Sequence, residues 1–88
     1  MPLPPVLHVG FRNYIVSEHV LAIISADSAP MRRLVHQLKG SQQLIDATQG
    51  RKTKTLLFMT GSCVVLSAVS QETLAKRLGA AELEGGEE

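Results

Sequence analysis

The sequence predicts an α+β fold: a small, mostly antiparallel sheet with two short helices. Three observations predict it. Segments 27–40 and 70–79 each carry a helix start signal, a helix stop signal and periodic apolar positions. Most of the remaining chain falls into short runs rich in β-branched residues. The last two of these runs, 54–59 and 63–69, are separated only by Thr-Gly-Ser, a hairpin signal.

Residues 1–5 are Pro-rich and predict an extended lead-in. VLHVGF, 6–11, reads as a short strand with a glycine near its end. NYIVSEHVLAIIS, 13–25, is β-rich and predicts one or two strands, broken or bulged around residues 17–19. The clearest helix is 27–40. Asp27 or Ser28 can cap its free N–H groups, and Pro30 suits its first turn. Met31, Leu34, Val35 and Leu38 fall at i, i+3, i+4 and i+7, one apolar stripe, while Arg32, Arg33, His36 and Gln37 take the other face. Lys39 suits the negative end of the helix dipole, and Gly40 can adopt the left-handed cap. Residues 43–48 predict a short strand ending in a polar turn. The second helix, 70–79, is capped by Ser70, has Glu72 in its first turn and Lys76 and Arg77 in its last, and ends at Gly79; Val69 can staple onto Leu74.

The length, 88 residues, allows one domain, read as 1–79 and followed by an acidic, disordered tail over 80–88. A domain this small usually needs a staple. Cys63 is the single cysteine, so no internal disulfide is possible. Apolar residues still make up 44% of the chain. Self-association is the staple left over, and a homo-oligomer is expected. The N-terminus lacks the basic and apolar regions of a signal peptide, no apolar run approaches the length of a membrane span, and one unpaired cysteine suits a reducing compartment. A cytoplasmic protein with no membrane association is expected. Net charge is +1, but Glu82, Glu84, Glu87 and Glu88 all lie in the tail. Residues 1–79 carry nine Lys and Arg against Glu18, Asp27, Asp46 and Glu72, a net +5. A basic body points to an anionic partner or to a merely solvated surface.

No catalytic constellation is visible. Cys63 opens an apolar strand, where cysteines usually act as small hydrophobes. His8, His19 and His36 lie in three different elements, so no metal-ligand spacing emerges. A phosphate loop would need Gly at position 45 and Lys at position 51; the chain has Ile45 and Arg51. No enzyme activity, cofactor, metal or small-molecule substrate is expected.

The informative stretch is the polar turn before the fifth apolar run. Arg51, Lys52 and Lys54 crowd within four residues after Gly50. Thr48, Thr53 and Thr55 add hydroxyl donors suited to phosphate oxygens. Three readings are open for this turn: nucleic acid, another anion, or solubility at the mouth of a hairpin, where lysines also guard strand edges. With no Trp, one Tyr and two Phe, base stacking on a sheet is disfavoured, and a nucleic-acid partner would be a duplex held by its backbone.

Four blocks carry a family resemblance: VGFRNYIV, AIISADSAPMRRLV, LIDATQGRKTKTLLFM and VVLSAVSQETLAKRL. In order and spacing they resemble the RemA family of small bacterial regulatory proteins, over roughly residues 7–78. The resemblance implies a regulator of biofilm matrix genes that binds double-stranded DNA and assembles as a ring-like homo-oligomer with its DNA face outward. It implies DNA contacts at Arg51, Lys52 and Lys54, and at His19, which stands where the family has a further arginine. Arg12 replaces the family's usual glycine and is a secondary candidate contact. Lys52 and Lys54 stand where arginine is common, which keeps charge but loses the planar fork.

Overall fold

The computed structural model describes residues 5–79. The lead-in expected over 1–5, save Pro5, and the acidic tail expected over 80–88 lie outside the described residues. Six strands and two helices follow one another as β1 (Val6–Gly10), β2 (Asn13–Val16), β3 (Val20–Ser25), α1 (Ala29–Leu38), β4 (Leu44–Asp46), β5 (Thr55–Met59), β6 (Cys63–Ser67) and α2 (Gln71–Gly79). The fold is α+β, with strands mostly antiparallel. It contains two sheets rather than one. A short 3-10 turn at Ser17–His19 ends β2 and separates a two-stranded β1–β2 ribbon from a four-stranded sheet ordered β3-β5-β6-β4.

The β5–β6 hairpin forms the centre of the larger sheet, with Thr55 opposite Ser67 and Met59 opposite Cys63. Gly61 and Ser62 close it with φ of +82° and +62°. The short β4 pairs parallel to β6 at one edge, and β3 pairs antiparallel to β5 at the other. Because side chains alternate along a strand, the two central strands feed two cores. Leu57 and Val65 face the β1–β2 ribbon and α2, burying Leu7, Val9 and Leu74. Leu56, Val64 and Leu66 face the opposite way, where Met31, Leu34, Val35 and Leu38 of α1 cover them. The result is three layers: α1, the sheet, then the ribbon with α2.

Local chemistry fixes the helix ends. Ser28 Oγ accepts from Met31 N at 3.3 Å, so Ser28 rather than Asp27 is the cap. Asp27 pairs with Arg32 at 3.6 Å instead. Gly40 takes the left-handed φ of +81° just beyond α1. Thr73 N donates to Ser70 Oγ at 3.2 Å, capping α2, and Val69 packs on the cluster that buries Leu74. No helix among the described residues is long and apolar enough to cross a membrane.

Candidate nucleic-acid interface

The basic loop spans residues 47–54 and joins β4 to β5. Those strands are not neighbours, because β6 lies between them. The loop therefore passes around the C-terminal end of β6, and backbone hydrogen bonds hold it at both ends. Ala47 N donates to Leu66 O at 2.9 Å, and Lys54 N donates to Ser67 O at 2.9 Å. On the outer side Ala26 N donates to Lys54 O at 3.0 Å.

The start of the loop is an Asx turn. Asp46 Oδ1 accepts from Thr48 N at 2.9 Å and from Thr48 Oγ1 at 2.6 Å. These two bonds hold the Asp46 carboxyl below its ordinary range; desolvation opposes them and the Lys39 charge adds to them. Arg51 N donates to Thr48 O at 3.0 Å across Gln49 and Gly50, whose φ values are +55° and +81°. Only Gly50 adopts that conformation without steric cost.

Buried hydroxyls brace the loop from beneath. Ser67 Oγ donates to Val9 O at 2.7 Å and accepts from Val69 N at 3.0 Å. Thr55 Oγ1 donates to Val69 O at 2.8 Å. This corrects one reading of the sequence. Thr48 and Thr55, expected as phosphate donors, are 2% and 0% exposed and spend their hydroxyls inside the fold. Thr53 alone of the three remains half-open.

Arg51, Lys52 and Lys54 are exposed. None of them forms a salt bridge among the described residues. They line one open cavity of about 370 Å³ together with Gly10 and Phe11, at the tip of the β1–β2 ribbon. The Arg51 guanidinium lies 5.8 Å from the centre of the Phe11 ring, within cation–π range. Arg12 is exposed beside Phe11 on the same tip. Phe11 and Arg12 have φ of +53° and +64°, the double positive φ of an I′ turn, a position that normally selects Asn and Gly. Gly10, at φ +109°, lies so close to the Val69 side chain that a Cβ would sit 3.2 Å from Cγ2. The ribbon tip is thus pressed against the connection between β6 and α2.

His19 lies elsewhere. It sits at the opposite end of β5, where Thr60 N donates to His19 O at 2.9 Å and the Thr60 hydroxyl is 3.0 Å from His19 Nδ1. The length of β5, roughly 16 Å at about 3.3 Å per residue, separates it from the loop. Within one protomer the structure brings together Arg51, Lys52, Lys54 and the Phe11–Arg12 tip, and leaves His19 apart. Phe11 escaped the sequence reading because it looked like the last residue of β1. The available signal was Gly10, a turn residue immediately before Phe11 and Arg12. Among the described residues no three His, Cys, Asp or Glu side chains gather as a metal site.

Fold and loop together define a class: a small α+β domain that presents a braced cationic surface with no ion-pair partner among the described residues. The chain belongs to the RemA-like family, described as extracellular matrix regulatory protein A-like, whose pattern matches residues 6–78. The family is a regulatory one. The chain is similar to a protein of Thermosynechococcus vestitus named "Putative regulatory protein tsl2331", 49% identical over 72 residues that cover 82% of this chain and 94% of the relative. A relative of the same general name in Dictyoglomus turgidum is 44% identical over 81 residues, 92% of this chain and 89% of its own length. One in Desulfosudis oleivorans is 43% identical over 74 residues, 84% of this chain and 76% of its own.

Proposed function

We propose that this protein is a DNA-binding transcriptional regulator, an activator of extracellular matrix genes of the biofilm type, acting in the cytoplasm without catalysis. Arg51, Lys52 and Lys54 contact phosphates of double-stranded DNA, with Arg12 beside them. One observation carries the reading: three exposed cations, without acidic partners among the described residues, stand on a loop whose backbone is anchored at both ends. Such a loop loses little conformational freedom on binding.

A few phosphate contacts per protomer bind weakly, and repetition multiplies them. The proposal therefore includes a ring-like homo-oligomer. The two edges of the four-stranded sheet support it. Leu21, 69% exposed, and Ile24 lie on the β3 edge, and Ile45, 50% exposed, lies on the β4 edge. Two different apolar edges on one subunit suit head-to-tail association, which closes into a ring when the rotation permits. In such a ring a neighbour's His19 can lie nearer the loop than the protomer's own.

The test is duplex-DNA binding by fluorescence anisotropy over a salt series, with particle mass measured on the same sample. A large particle whose affinity falls steeply with salt is expected. Arg51→Ala weakens binding at least tenfold and leaves the mass unchanged. Unchanged binding by Arg51→Ala would remove the loop from the site. A second reading is an oligomeric scaffold whose basic rim holds a protein or another polyanion. The separation of His19 from the loop favours it, and an oligomer that ignores DNA at low salt is its signature.

A further inference from the structure

A second cationic element faces the basic loop from α1. Between them lies an open cavity of about 420 Å³, lined on the helix side by Arg32, His36 and Lys39 and on the loop side by Lys52 and Thr53. Arg32, His36 and Lys39 stand at i, i+4 and i+7, so they form one stripe along the helix. The flanking stripe, Met31, Leu34, Val35 and Leu38, packs on the sheet, so the cations rise from the side of the helix beside the buried face, and Val35 floors the cavity between them. Lys52 lines this cavity and also the one that holds Arg51, Lys54 and Phe11. Lys52 thus stands between the two cavities and borders both.

Among the described residues, the lining of the α1 cavity carries three permanent cations, Arg32, Lys39 and Lys52, against the carboxylate of Asp27, while Asp46, outside the lining, interacts with Lys39. Asp27 pairs with Arg32 at 3.6 Å, with side chains 92% and 64% exposed, a geometry that water and salt screen easily. The stripe from Arg32 to Lys39 runs about 10 Å along the helix axis. That matches the axial rise of roughly three phosphates on one strand.

We infer that Arg32, His36 and Lys39 form a second phosphate-binding segment, continuous through Lys52 with the basic loop, so that one strand of duplex DNA tracks from the ribbon tip across the loop and along α1. The inference rests on the DNA-binding reading above. Contacts of this kind address the backbone alone, so they add affinity on every sequence and select none. Asp27 acts against them, by holding Arg32 and by repelling phosphate.

The full-length protein is titrated with two duplexes of unrelated sequence over a salt series. Arg32→Ala/Lys39→Ala lowers the steepness of log affinity against log salt by about two for each protomer engaged, equally on both duplexes. Arg33→Ala/Lys76→Ala removes the same charge outside the groove and leaves the slope as in the parent. Asp27→Asn raises affinity severalfold at low salt. Ala is favourable at the exposed helical position 32 and Lys39 is an exposed cap residue just past the helix, and circular dichroism and particle mass verify that the variants keep their fold and assembly. If the groove pair retains the parent slope while Arg51→Ala loses binding, the α1 segment is wrong and the loop assignment stands. If both double variants lower the slope equally, the effect is net charge and the groove is wrong. If the parent ignores DNA at low salt, both readings fall together.

Discussion

Arg12 holds a left-handed backbone conformation that costs a non-glycine residue about 1–2 kcal/mol, and it does so next to Phe11, whose ring lies 5.8 Å from the Arg51 guanidinium. Strain of this kind persists where it places a side chain that is needed. Arg12→Gly is therefore expected to stabilise the fold by about 1 kcal/mol in denaturant unfolding and to weaken DNA binding in the same preparation. Asp46 works differently, through the turn it makes. Removing its carboxylate in Asp46→Ala leaves the buried Thr48 N–H and hydroxyl without their acceptor, an expected loss of about 1–3 kcal/mol. The folded-state pKa of Asp46 lies below its ordinary 3.8. Its contribution to stability is thus complete above that value and is lost as pH falls through the lower, folded-state value. Comparing unfolding midpoints at neutral and strongly acid pH checks this: the gap between parent and Asp46→Ala should narrow in acid.

At the scale of elements, the two central strands do most of the packing, since each buries both faces. Leu57 and Leu56 are both fully buried although they point in opposite directions. The helices cover one face each and are held by a few large side chains. Leu74 is the only fully buried residue of α2. Leu74→Ala is expected to cost about 2–5 kcal/mol by thermal or denaturant unfolding. It should also loosen the ribbon, because Leu74 shares its cluster with Leu7 and Val9. Arg77 adds a polar tie across the same contact, donating to His8 O at 2.9 Å. Three of the fold's cations thus differ in employment: Arg77 pins α2 to β1, Arg32 meets Asp27, and Arg51 lies over an aromatic ring.

At the scale of the whole molecule, a small core and exposed apolar edges belong together. The chain leaves Val6, Tyr14, Leu21 and Ile45 more than half-exposed or near it, at 57%, 60%, 69% and 50%. Leu21 and Ile45 lie on opposite edges of one sheet, where a charge opposes strand-to-strand association. Leu21→Glu and Ile45→Glu are each expected to shrink the particle in sedimentation or mass photometry. DNA affinity should then fall by one or more orders of magnitude with the loop itself untouched, because repeated contacts are lost together.

The sequence by itself determined whatever depends on near neighbours along the chain. The stripe of Met31, Leu34, Val35 and Leu38, a cap at Asp27 or Ser28, the Ser70 cap, the Thr-Gly-Ser hairpin and a break or bulge at residues 17–19 are all matters of local spacing and backbone preference. The cluster of Arg51, Lys52 and Lys54 was legible for the same reason: three residues so close along the chain stay close in any fold. Only the tertiary structure decided the rest, because it turns on partners distant in sequence. The parallel placement of β4 beside β6 sends the basic loop around a strand end. The hydroxyl of Thr55 turns inward because Val69, brought beside it by the β5–β6 hairpin, offers it an acceptor. Phe11 meets Arg51 across forty residues of chain, and His19 is carried to the far end of β5. No local propensity encodes these distances; they follow from the order in which the strands pair.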